Sequence, residues 1–245
     1  MKAILADLAP TGKLRAGINY GNFILAQKDK ATGESRGVAL DLSNELARQL
    51  GVPMEIVAFD TVTGLGDAAP TNVWDIAFLG SDPQREKIMS FSAAYVELDA
   101  TYLVPASSTI RDAAEVDRAG VRVTAAARAN YELYLQRNLK TAKLLSMPNN
   151  DAAFGELAAG RADALAGLTE ALINASKKLP GSRIVAGRFM AVQQSIAVPK
   201  GKDAGLTYLK GVVEEAKKSG LVARALEKTG ARGVAVAPAV APTSK

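Results

Sequence analysis

The sequence predicts an α/β protein of two similar units, each a mostly parallel sheet flanked by helices, with two strands passing from one unit to the other. Three observations predict it. Short apolar runs change places with stretches of helical spacing in strand–helix–strand order, which calls for parallel strands under covering helices. That order starts afresh near the middle of the chain. No Pro-, Gly- or Ser-rich linker separates the halves, and strands at Thr101–Val104 and Gln194–Val198 stand where the chain crosses between them. The expected division is 1–104 with 194–245 as one lobe and 105–193 as the other. A double crossing makes a hinge, and hinged lobes make a cleft.

The elements follow in order. Leu14–Ile18 alternates as a strand that ends in a turn at Tyr20-Gly21-Asn22, and Ala31–Glu34 is a polar turn. Leu42, Leu46, Ala47 and Leu50 recur at helical spacing within Val38–Leu50, with Gly51 as a stop and Pro53 beyond it. Met54–Phe59 and the nearly all-apolar Asp75–Leu79 read as strands, the second buried on both faces. Tyr102–Val104 is another, closed by Pro105. The second unit reads as a helix near 111–118, a strand at 121–124, helices at 131–139 and 151–159, a strand at 162–166 and a helix at 169–178. After the return strand come helices near 204–218 and 221–227. The tail from Gly233 to Lys245 alternates Ala, Val and Pro, which suggests a mobile or loosely docked end.

Composition removes whole classes of function. The 245 residues include 0 Cys and 0 His, which excludes disulfides, thiolate zinc sites, Ser–His–Asp triads and Cys–His dyads. No D-x-[DN]-x-[DN]-G calcium loop occurs. No apolar run approaches the roughly 20 residues of a membrane span. The net charge of +5 is spread among acids, as in Arg85-Glu86-Lys87, and only 5% of residues are aromatic. Nucleic acid is therefore not the expected partner. Met1–Ala9 has neither the long apolar core nor the cleavage site of a signal peptide.

Six pieces at the right separations make the sequence resemble the bacterial family 3 solute-binding proteins of polar-amino-acid uptake, which have the type II periplasmic binding fold. They are Leu14-Arg15-Ala16-Gly17; Gly37-Val38-Ala39-Leu40-Asp41-Leu42 for "GFDVDL"; Asp75 of "G-x-x-D"; Pro83-Gln84-Arg85 with Phe91–Tyr95 for "T-P-x-R … FS-x-P-Y"; Gly160–Ala164 for "GRVDA"; and the return strand Ile196–Gly201. The resemblance covers roughly residues 11–229.

What it implies for ligand binding transfers residue by residue. Arg85 matches the carboxylate clamp, whose planar fork meets both oxygens at once; a plain salt bridge to Asp82 or Glu86 is the other reading. Gly80 and Ser81 precede it where the family offers backbone N–H groups and hydroxyls. The family's "S-G-T" anion site at a helix start maps onto Ala127-Arg128-Ala129-Asn130. Its hydroxyl is missing at Ala129, and Arg128 and Asn130 either replace that donor or face solvent. The Asp that pairs with an α-ammonium is replaced by Leu168. Glu170, two residues on, reads either as a substitute or as a first-turn acid favoured by the helix dipole. Asn22 stands where an aromatic lid is usual, with Tyr20 as its substitute if the loop shifts. Trp74 either packs or stacks on ligand. Gln193 and Gln194 lie at the returning strand, within reach of the cleft.

The expected function is capture of a small carboxylate-bearing ligand in the interlobe cleft, by a monomer, without catalysis, cofactor or metal. An ABC permease partner and a periplasmic location follow from the resemblance. A cytoplasmic location follows from the missing signal unless Met1 replaced one. Two alternatives stand beside this. One is an enzyme similar to cyclohexadienyl dehydratase, for which Glu170 is the nearest candidate acid although the matching position is Ala171. The other is a sensor or scaffold descended from a binding protein.

Overall fold

The computed structural model describes residues 1–29 and 31–240. The chain begins with α1 (Lys2–Leu8) and β1 (Leu14–Asn19). A small hairpin of β2 (Gln27–Lys28) and β3 (Ser35–Arg36) leads to α2 (Val38–Leu50), β4 (Met54–Phe59), α3 (Val62–Asp67), β5 (Ile76–Gly80) and the long β6 (Met89–Val104). Then come β7 (Arg122–Ala126), α4 (Asn130–Asn138), β8 (Lys143–Met147), α5 (Asn150–Ala158), β9 (Ala164–Leu168), α6 (Thr169–Ser176) and β10 (Arg183–Ile184). The chain returns through β11 (Met190–Pro199), α7 (Asp203–Lys218), α8 (Leu221–Glu227) and β12 (Val234–Val236).

Packing divides the chain into Met1–Glu97 with Gln193–Lys245, and Leu98–Val192. The boundaries fall inside β6 and β11. The first unit has strand order β4-β1-β5-β11, and the second has β8-β7-β9-β6. In each, the first three strands run parallel and the fourth is antiparallel. The same supersecondary unit has therefore been used twice.

Local chemistry explains the elements that matter most. α2 buries Leu42, Leu46 and Leu50, and ends at Gly51 in the left-handed conformation with φ 68°, where its N–H reaches Ala47 O and Arg48 O. Its start demands glycine as well. Gly37 has φ 129°, and a Cβ there would lie 2.3 Å from the Leu25 carbonyl oxygen. α5 is capped by Asn149, whose Oδ1 accepts from Ala152 N at 2.8 Å. Trp74 is buried among Leu65, Ala77 and Leu79, with Nε1 donating to Leu65 O at 3.2 Å. Its role is packing.

Each unit opens its sheet with the same ion pair. Asp75, just before β5, accepts from Arg15 N at 2.9 Å, Nε at 3.0 Å and Nη2 at 2.6 Å. Asp163, just before β9, accepts from Arg122 N at 2.8 Å, Nε at 2.9 Å and Nη2 at 2.9 Å. The two family-matching aspartates thus fasten one strand start to its neighbour. Burial separates their worth. Asp75 is 4% exposed, so Asp75→Ala should destabilise by about 2–4 kcal/mol by stranding a partly buried Arg15. The Arg122 and Asp163 side chains are 41% and 38% exposed, so Asp163→Ala should cost clearly less.

The Arg122 hydrogen bonds hold the Asp163 carboxyl below its usual range. Backbone N–H groups of Ala142, Lys140 and Thr141 do the same for Asp117. A carboxyl depressed in the folded state stabilises above its unfolded pKa, and that contribution is lost as pH falls through the folded value. The melting temperature should therefore decline from about pH 5 downward, less steeply in Asp163→Ala. Calorimetric melts that give the variant the wild-type slope would contradict this.

One expectation needs correction. The helix expected near 111–118 is only a 3₁₀ turn at Ala113–Glu115. Side chains take the backbone N–H groups there. Asp112 Oδ1 accepts from Ala114 N at 2.9 Å and Glu115 Oε2 from Arg111 N at 2.7 Å, which ends the helix before it starts. Of the two readings of the tail, mobile or loosely docked, the described part is docked: β12 pairs with β6, buried Ala237 donates to Tyr95 O at 3.1 Å, and Lys217 Nζ reaches Pro238 O at 2.9 Å. Residues 241–245 of that tail lie outside the described residues.

Candidate functional site

In the first unit, the chain leaves β5 at Gly80 and turns sharply. Ser81 N donates to Gln193 O at 3.0 Å. Buried Asp82 shapes the bend, taking Gln84 N on Oδ1 at 2.8 Å and Glu86 N on its carbonyl at 3.0 Å. This sets the 3₁₀ turn Arg85–Lys87 so that Arg85 points back to the sheet and Glu86 to solvent. Arg85 is 9% exposed, and its Nη1 donates to Gly80 O at 2.7 Å. The hydrogen bond to Gly80 O fixes the plane of the guanidinium, which is what two-point recognition of a carboxylate needs.

Gln194 lies across the antiparallel ladder from Gly80. Gly80, Ser81, Arg85 and Gln194 therefore gather at the end of β5. Tyr20 and Asn22 follow β1, the parallel neighbour of β5. Tyr20 is tied down by its N–H to Phe59 O at 2.9 Å and by a hydroxyl hydrogen bond with Ser35 Oγ. Asn22 begins a turn whose carbonyl accepts from Leu25 N and Ala26 N. Gln193 is occupied, with Nε2 donating to Glu97 Oε1 at 2.8 Å.

In the second unit, Arg128, Asn130, Leu168 and Glu170 are set by two helix starts after the adjacent parallel strands β7 and β9. The positive ends of α4 and α6 thus stand at one edge of the sheet. Their N-cap residues, Ala129 and Leu168, supply no side-chain cap. Buried Asn130 opens α4 and Glu170 lies in the first turn of α6. Leu168 pairs with Ala100 on β6.

Sequence reasoning missed Glu132. It is fully buried and accepts from Arg128 N at 2.9 Å, from Gln136 Nε2 at 2.6 Å and from the Ser146 hydroxyl. The signal was present in part: a Glu three residues after the N-cap stands at the capping-box position, but it accepts from Arg128 N, one residue before the N-cap Ala129, whose own N–H goes to Ala126 O. Through this contact Glu132 fastens Arg128, which has φ 61° in the left-handed region. Non-glycine residues adopt that conformation at a cost of about 1 kcal/mol or more. Compared with Arg128→Ala, which removes the same side chain but keeps the left-handed strain, Arg128→Gly should therefore melt higher. If Arg128 supplies the anion donor missing at Ala129, the same variant should bind its ligand at least tenfold more weakly. Paired melts and titrations check both, and unchanged affinity would remove the Arg128 side chain from the ligand contacts.

Comparison with known proteins places this architecture. Residues 14–231 match the model of the bacterial extracellular solute-binding proteins, family 3. The ABC transporter glutamine-binding protein GlnH of Bacillus subtilis is 22% identical over 223 residues, covering 89% of this chain and 81% of GlnH. Among solved structures, a mutant of ArgBP from T. maritima has a TM-score of 0.74 at 26% identity and covers 93% of this chain and 99% of its own. The ancestral amino acid-binding protein AncCDT-1, a precursor of cyclohexadienyl dehydratase, has a TM-score of 0.74 at 27% identity and covers 91% and 97%. The fold is the type II fold of such amino-acid-binding proteins. Since the match runs through both of its repeated units, the chain belongs to the bacterial extracellular solute-binding proteins, family 3.

Proposed function

We propose that this solute-binding protein takes a small carboxylate-bearing ligand without an α-ammonium group, with Arg85 as the clamp, and works as a monomer with an ABC permease outside the cytoplasm. The observation that carries the reading is the buried Arg85 guanidinium, tied to Gly80 O beside the Ser81 turn. The relatives' names support an amino acid or a molecule of similar size. Leu168 argues for a ligand that lacks the ammonium, because an unpaired buried charge is costly. A keto, hydroxy or aromatic acid meets both conditions. A dehydratase reading lacks its acid, since Ala171 has none to offer.

A thermal-shift screen over small carboxylic acids, with and without an α-amino group, tests the reading. A ligand at 100 times its dissociation constant should add about 2.7 kcal/mol of stability. A screen in which only amino acids raise the midpoint would overturn the proposed ligand class.

A further inference from the structure

Among the described residues, four side-chain oxygens of the first unit are buried without a hydrogen-bond partner: Tyr95 Oη, Glu214 Oε1 (ion-paired with Lys217), and the two that belong to residues beside the β1 and β5 ends, Asn22 Oδ1 and Gln194 Oε1. Gln194 is 4% exposed. Buried polar atoms are almost always paired, so an unpaired one in a binding protein points to a donor supplied from outside. Position strengthens the case for Gln194. It faces Gly80 across the ladder, and the Gly80 carbonyl holds Arg85 Nη1 at 2.7 Å. Gln194 and Arg85 thus share Gly80 as a neighbour, one through the ladder and the other through its carbonyl. Beyond Gln194 the same strand face turns apolar, with Ile196 opposite Phe78. The Gln194 and Asn22 oxygens are both acceptors. An O–H satisfies such an acceptor.

We propose that the ligand carries a hydroxyl beside its carboxylate, accepted by Gln194 Oε1 with Asn22 Oδ1 as the second acceptor, so that Gln194 selects hydroxy acids over their hydrogen and keto analogues. The inference rests on the carboxylate reading of Arg85. An ammonium would also donate, but these acceptors are uncharged amides and leave its charge unneutralised.

Matched acids separate the possibilities: lactate, propionate and alanine; malate, succinate and aspartate; 3-phenyllactate, 3-phenylpropionate and phenylalanine. They are titrated by calorimetry into the wild type, Gln194→Leu and Asn22→Leu. In the set that binds, the hydroxy acid should be tighter than its hydrogen analogue by about tenfold or more, because a site built to pair with a hydroxyl rejects its absence. Gln194→Leu should bring that ratio within threefold. It should melt no lower than the wild type, since it removes a buried acceptor, Oε1, that lacks a donor. Asn22→Leu, in a half-exposed loop, provides the second reading of the ratio should Gln194→Leu fold poorly. Equal binding of hydroxy acid and hydrogen analogue by the wild type would overturn the inference and leave the carboxylate clamp standing. A ratio unchanged in both variants would overturn the assignment to these residues, and a tightest amino acid would overturn the hydroxyl. Binding of no acid in any set would overturn the carboxylate reading itself.

Discussion

Arg85→Ala is expected to weaken ligand binding at least a hundredfold while the protein still folds. The guanidinium is buried, so its bonds to a carboxylate form away from competing water and are stronger than surface contacts. Losing a charged, two-point partner costs about 3 kcal/mol, which is a little over a hundredfold. Gly80 O gives up the donor at 2.7 Å, so a melt beside each titration separates lost stability from lost ligand contact. Arg85→Lys keeps the charge but not the planar fork, and should fall between the two proteins in affinity. Titration of all three, each with a thermal melt, checks the ordering. A variant with alanine that binds within threefold of the wild type would remove Arg85 from the site.

Leu168→Asp is expected to reverse the preference between an amino acid and its non-amino analogue. Leu168 is the N-cap of α6, with φ −68° and ψ 139° and no side-chain cap. A ligand ammonium placed against it meets apolar surface, which disfavours the amino acid by on the order of a hundredfold where water is excluded. Aspartate there supplies a counter-charge. It also suits the N-cap of α6, so the same substitution should stabilise the protein by about 1 kcal/mol. Capping alone would raise the melting temperature without moving the preference, and the two effects are read separately. Melts and titrations with one matched acid pair decide the matter. Tight binding of common amino acids by the wild type would show that Leu168 does not face the ammonium position.

How much could be read from sequence depended on whether the cause was local. α2 and α8 were found at their observed limits because apolar spacing and flanking glycines act within a few residues. Arg85 stood out because the turn after β5 follows from a short motif. β6 was recognised only at its end, because Met89–Val104 changes partners along its length and mixes Ser92, Glu97 and Asp99 with apolar residues. The edge strand β8 and the glycine-bearing α3 give little period to detect. Glu132 was missed for a different reason. One of its partners, Ser146, comes from β8, a strand away in the fold. The vacant acceptor on Gln194 likewise follows from its ladder partner Gly80, which no spacing rule supplies.

Calorimetric titration of the wild type with the tightest-binding acid and with the primary amide of that acid tests the carboxylate clamp most directly. The pair differs only in the charge presented to Arg85. The acid should bind at least a hundredfold more tightly than the amide, and Arg85→Ala should erase the difference. Equal binding of acid and amide by the wild-type protein would contradict a carboxylate site at Arg85.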